Sequence, residues 1–194
     1  MSGNKKIAVL VSGGGTNLQA LIDEGILVSL VISSKREAYA LVRAEENGIK
    51  TEVVEWAEYK LRENGRREFS EVLLNLLENN GIDLVVYAGF LVILDDCVCR
   101  AYPNAMLNVH PSLIPSFCGE GFYGIKVHKA ALERGVKLSG ATVHFVTDVC
   151  DGGPIVLQKS VEVLEGDTPE TLQERVMQAE RELLPKAVKL LIES

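Results

Sequence analysis

Asn108 and His110 carry the strongest chemical signal in the chain. They stand two residues apart in Asn108-Val109-His110-Pro111-Ser112-Leu113-Ile114-Pro115, directly after the apolar run Ala105-Met106-Leu107. In an extended segment, residues two apart point to the same side. The two prolines forbid a helix and keep the following segment extended. An amide donor and a titratable ring are thereby held together at a strand end, where ligands lie in open α/β sheets. Asn108 can polarise a carbonyl-like oxygen while His110 moves a proton. From the octapeptide alone, a strand end with a capping asparagine and a half-buried histidine reads equally well.

An imidazole that works on a substrate usually has a carboxylate to set its charge. Asp148 and Asp151, in the turn Thr147-Asp148-Val149-Cys150-Asp151-Gly152-Gly153-Pro154, are both candidates. Either one beside His110 is expected to raise its pKa and make it an acid towards a developing oxyanion. The other two histidines read differently. His128 opens a surface helix and is expected to be solvated. His144, mid-strand in Gly140-Ala141-Thr142-Val143-His144-Phe145-Val146, reads as a hydrogen-bonded core residue. No serine or cysteine is poised as a nucleophile, which disfavours a covalent mechanism, and no ligand cluster suggests a metal.

A second site signal lies near the N-terminus. A buried strand at 7–11 runs into Ser12-Gly13-Gly14-Gly15-Thr16-Asn17, and an apolar-periodic helix begins near Leu18. Strand, glycine turn and helix present backbone N–H groups and a positive helix end to a phosphate. The Walker pattern is absent, and the dinucleotide fingerprint lacks its third glycine because Leu18 stands there. One phosphate therefore fits better than NAD, with NADP read by Lys35 and Arg36 as the alternative. Further on, Phe90-Leu91-Val92-Ile93-Leu94 beside Gly89 forms an apolar lip suited to a flat heteroaromatic ring, although five apolar residues also read as core.

The elements that must position these groups follow from periodicity. Strands are expected at 7–11, 27–32, 51–54, 83–89, the segment reaching Asn108 and His110, 140–146 and 155–163. Helices are expected from Leu18, over 39–47, and from Arg66 with Phe69, Val72, Leu73, Leu76 and Leu77 on its inner face. Two more are expected over 125–134 and from Thr168. Strands alternating with helices imply an α/β fold: a Rossmann-like, open, twisted and mostly parallel sheet of about seven strands with helices on both faces. The 194 residues are expected to form a single domain, 1–194. A net charge of −7 argues against nucleic-acid or anionic-membrane partners. The four cysteines suggest neither a disulfide framework nor a zinc site. The start, Met1-Ser2-Gly3-Asn4-Lys5-Lys6, precedes only a short apolar run, so neither a signal peptide nor a membrane span is expected and the protein reads as cytoplasmic.

Taken together, Asn108 to Phe117, Gly140 to Val146, Asp151-Gly152-Gly153-Pro154-Ile155 and the Ser12 to Asn17 loop resemble the phosphoribosylglycinamide formyltransferases. These are folate-dependent enzymes of purine synthesis. Gly166-Asp167-Thr168, Arg175-Val176 and Glu180 match as well. The resemblance implies that the amine of phosphoribosylglycinamide attacks the formyl carbon of 10-formyltetrahydrofolate as co-substrate, without a metal. It further implies that Asn108 and His110 stabilise the tetrahedral oxyanion, that His110 is the general acid, and that Asp151 keeps His110 charged and relays the amine proton. Gly15, Thr16 and Asn17 are implied to bind the substrate phosphate and Glu180 the ribotide. Arg66, Leu91, Val92, Ile93, Leu94 and Asn108 are implied to contact the folate, with His144 supporting the site from behind. The partners so implied are small molecules, with the chain a monomer or homodimer. Two related enzymes share this core: formyltetrahydrofolate hydrolase, expected to carry an extra N-terminal domain, and methionyl-tRNA formyltransferase, expected to carry a C-terminal barrel. An NADP-binding module is the alternative from another class, and it leaves Asn108, His110 and Asp151 without a role.

Overall fold

A computed structural model describes residues 5–193; residues 1–4, part of the start that argued against a leader, and residue 194 lie outside the described residues. The branched aliphatic run Ile7–Val11 forms β1, every residue of which is buried. Seven strands make one sheet in the order β3-β2-β1-β4-β5-β6-β7. β1 pairs in parallel with β2 and β4, and β2 with β3, while β6 and β7 are antiparallel. The expected mostly parallel α/β sheet is therefore the observed one. By chain contacts the molecule divides into two compact units, Met1–Leu107 and Asn108–Ser194.

The first unit runs β1, α1 (Thr16–Asp23), β2 (Val28–Ser33), α2 (Tyr39–Glu46), β3 (Lys50–Val53), a single 3-10 turn (Trp56–Glu58), α3 (Gly65–Asn79), β4 (Leu84–Tyr87), α4 (Asp96–Ala101) and the start of β5 (Met106–His110). α1 begins two residues earlier than expected, because Gly15 takes a left-handed φ of 72° and starts the helix itself. In α3 the buried face is Phe69, Leu73 and Leu77, four residues apart, whereas Val72 is exposed. Trp56, Tyr59 and Phe90 ring Phe69 at 5.3, 5.6 and 6.3 Å between centroids. α4 was not anticipated. The apolar run before it hides its start signals: Asp95, whose carboxylate caps the Cys97 N–H, and Asp96 in the first turn.

The second unit holds the end of β5, α5 (Ile125–Arg134), β6 (Leu138–Phe145), β7 (Ile155–Glu162) and α6 (Pro169–Ile192). α5 has the expected bounds and stops at Gly135, φ 73°. α6 starts on a capping box in which Thr168 and Thr171 exchange side-chain and backbone bonds, with Pro169 in the first turn. Arg175 grips Asp167 with two nitrogens at 2.7 and 2.9 Å and so pins that start to the end of β7, donating also to the Glu162 carbonyl. Among the described residues no helix is long and apolar enough to cross a membrane.

Candidate active site

The last residues of β5 carry Asn108 and His110, β6 carries His144, and the turn between β6 and β7 carries Asp151. The structure brings these four side chains into one cluster, Asn108 through hydrogen bonds and His110 at ion-pair distance from Asp151. Asn108 Nδ2 lies 3.1 Å from His144 Nε2 and 3.4 Å from Asp151 Oδ1. His110 Nδ1 lies 3.4 Å from Asp151 Oδ2, and His144 Nε2 lies 3.5 Å from Asp151 Oδ1. The turn is held so that the carboxylate must face the rings. Asp151 has a left-handed φ of 53°, and a Cβ on Gly153 would fall 1.8 Å from the Phe145 carbonyl oxygen. Phe145 N–H in turn donates to the Pro154 carbonyl at 2.9 Å. Asp148, the other carboxylate candidate, is exposed and takes no part in the group.

Hydrogen-bond directions fix much of the protonation. His144 Nδ1 sits 2.8 Å from the Phe145 carbonyl, so Nδ1 carries a proton. With the proton on Nδ1, Nε2 is the acceptor for the Asn108 amide. His110 Nε2 sits 2.9 Å from the Phe117 carbonyl and must likewise donate. Burial pushes the His110 imidazole below its ordinary value, outweighing the opposing pull of Asp151 and of the Phe117 carbonyl. The expectation that a neighbouring carboxylate would raise this pKa is thus corrected: Asp151 acts in that direction, but desolvation of the ring is larger. Burial alone would raise the Asp151 carboxyl. His144, the His110 charge and the Gly119 N–H at 2.8 Å together hold it below the ordinary carboxylate value.

Two further residues of this unit were not read from the sequence. Phe117 and Gly119, in the loop after the prolines, give their backbone to His110 and Asp151. His128 was expected on the surface of α5 and is buried, 1% exposed. Its pKa is pushed down to about 4, by burial first and by the His110 charge second. Glu180 is a buried carboxylate of α6. Cys118 and Cys150 are half-buried thiols pushed upward by burial and by Asp151, Cys150 to about 11, the reverse of what a nucleophile needs.

In the first unit, Gly13 and Gly14 are exposed at the turn before α1, Gly15 and Asn17 are buried and Thr16 is half-buried. The loop's carbonyls are turned towards α2. Ala40 N–H donates to Gly13 O at 3.0 Å and Arg43 Nε to Gly14 O at 2.8 Å. The first N–H groups of a helix have no acceptor within it, which leaves α1 suited to an anion. The apolar lip alternates: Leu91 and Ile93 are exposed, while Phe90 and Val92 are buried. Ser12 ties this lip to the glycine turn, accepting from Leu91 N–H at 3.0 Å while sharing a 2.6 Å bond with Ser34. Arg66 is exposed on α3, and Ser70 links its carbonyl to the Asp95 N–H at 2.7 and 2.9 Å.

A strand-end amide and imidazole with a carboxylate on a glycine turn have the donors and the base that addition to a carbonyl group needs. Residues 5–188 match the formyl transferase family, and the chain belongs to it. The phosphoribosylglycinamide formyltransferase of Escherichia coli is 38% identical over 94% of this chain and 84% of its own length. The trifunctional purine biosynthetic protein adenosine-3 of Homo sapiens is 43% identical over 95% of this chain; the chain spans 18% of that relative's length. Among solved structures, glycinamide ribonucleotide transformylase 1 from Symbiobacterium toebii superposes with a TM-score of 0.88 at 41% identity, covering 98% of this chain and 88% of its own.

Proposed function

We propose that the chain transfers the formyl group of 10-formyltetrahydrofolate to the amine of 5'-phosphoribosylglycinamide, giving the formylated ribonucleotide and tetrahydrofolate in purine biosynthesis. The observation that carries this reading is the cluster of Asn108, His110, His144 and Asp151 in a chain of the formyl transferase family. Residues 1–194 act in this reading as one formyltransferase domain, which the family match supports by running through both units. It works in the cytoplasm on small molecules.

The amine nitrogen attacks the formyl carbon, and the carbonyl oxygen takes the negative charge. Asn108 turns towards that oxygen the N–H it now spends on its longest contact, the 3.4 Å one to Asp151. His110 exchanges the Phe117 carbonyl for the same oxygen and serves as donor and acid. Asp151 is ionised and accepts the amine proton through water. As the intermediate collapses, the new C–N bond stays, the bond to folate N10 breaks, the oxygen returns its proton to His110 as the formyl carbonyl re-forms, and the amine proton ends on N10. His144 holds Asn108 in place. Gly15, Thr16 and Asn17 bind the phosphate and Glu180 the ribotide; Arg66 and residues 91–94 contact the folate.

The test is release of tetrahydrofolate from 10-formyltetrahydrofolate with and without phosphoribosylglycinamide. Release that requires the ribonucleotide and falls about 10²–10⁴-fold in Asp151→Asn is expected. Release without the ribonucleotide would identify water as the acceptor and overturn the reading, as would no release at all.

A further inference from the structure

The turn that follows His110 is gripped by two residues to which the roles above give no work. Thr142 on β6 and Gln158 on β7 are register partners, so their side chains share one face. Thr142 Oγ1 donates to the Ser112 carbonyl at 2.7 Å and accepts from the Ile114 N–H at 3.1 Å and from Gln158 Nε2 at 3.0 Å. A hydroxyl has one proton and two lone pairs, and all three are used. Gln158 Nε2 also donates to the Ile114 carbonyl at 3.0 Å. It therefore both sets the direction of the Thr142 hydroxyl and holds the far end of the turn. The hold continues to the catalyst: Ser112 Oγ donates to the Ser116 carbonyl, Ser116 N–H donates to the Leu113 carbonyl at 2.9 Å, and the next carbonyl, Phe117, receives His110 Nε2. β6 also closes on the turn at Gly140, where a Cβ would fall 2.8 Å from Leu113 Cδ2.

We propose that Gln158 is a positioning residue, fixing the 112–114 turn through Thr142 and Ile114 and thereby the direction in which His110 presents its Nε2–H. The inference rests on the formyl transfer proposed above. Gln158→Glu keeps the side chain's length on an exposed position and places an oxygen where Nε2 stood, so both donations are lost. In the full chain, kcat for formyl transfer falls about tenfold, with KM for both substrates within about twofold, as for a small displacement of a catalytic group. The His110 imidazole resonances in the NMR spectrum move, the thermal midpoint stays within about 2 °C, and Thr142→Ser, which keeps the hydroxyl, retains the wild-type kcat. An unchanged kcat with unmoved His110 resonances overturns the proposal. So does a rise in KM alone, which makes Gln158 a substrate contact, or a loss of activity that tracks loss of folded protein. If the wild-type chain transfers no formyl group, the proposed function falls, and the His110 resonances of Gln158→Glu still decide the role of Gln158.

Discussion

Among the groups through which acid destabilises this protein, His128 carries a shift large enough to measure by itself. It is 1% exposed, and its Nδ1 has no hydrogen-bond partner. Burial, and then the His110 charge, push its pKa from 6.5 to about 4. The unfolded ring takes a proton near 6.5 and the folded ring only near 4. Between those values the unfolded state binds more protons, so stability falls as pH falls. Each pH unit of that gap is worth about 1.4 kcal/mol, which makes about 3 kcal/mol in all and about 2 kcal/mol by pH 5. That is a large share of the roughly 5–15 kcal/mol that holds a domain folded. Urea unfolding of wild type and His128→Leu at pH 7 and pH 5 measures it. The apolar side chain takes no proton and, since Nδ1 is unpartnered, gives up no bond at that atom. Between the two pH values the wild type is expected to lose about 2 kcal/mol more than the variant. Equal losses would refute the assignment of the acid sensitivity to His128.

Two glycine substitutions test how the two site segments are held. Gly15→Ala puts a Cβ 2.6 Å from Ala40 Cβ and 2.8 Å from Ala40 Cα at a φ of +72°; α1 and α2 must separate, at a cost of about 1–3 kcal/mol in urea unfolding. KM for phosphoribosylglycinamide is expected to rise with it, and a KM that stayed put would detach the glycine turn from phosphate binding. Gly153→Ala drives its methyl against the Phe145 carbonyl that His144 Nδ1 also uses. Displacement of both Asp151 and His144 is expected to lower formyl transfer about 10²-fold, read from tetrahydrofolate release.

How much of this was legible depends on whether the deciding interaction is local. β1 and α5 are local: an aliphatic run, and an amphipathic run closed by Gly135. Asn108 and His110 were legible because spacing two on a strand and two prolines act over eight residues. The choice of Asp151 over Asp148 came from the resemblance and not from the residue pattern, because it needs β7 to return antiparallel and fold the turn back. His128 was misread because it lies between Val127 and Lys129 in a run with Lys126. Only the packing of α5 shows that Val127, His128 and Ala131 are its inward positions. Gln158 is one exposed residue on a strand, and its meaning exists only in register with Thr142.

The direction of the His110 pKa is the most informative of these differences. Charge pairing and burial oppose each other at this ring, and its 4% exposure lets burial win. The contacts themselves favour the charged ring: with Nε2–H spent on Phe117, Nδ1 stands 3.4 Å from the Asp151 carboxylate and meets it favourably only when it too carries a proton. An oxyanion forming beside the ring supplies the missing favourable field, so proton affinity rises as the intermediate forms rather than before it. The carboxylate offsets part of the desolvation cost of charging His110. The oxyanion forming beside Nε2–H then replaces the Phe117 carbonyl as the partner of that charge.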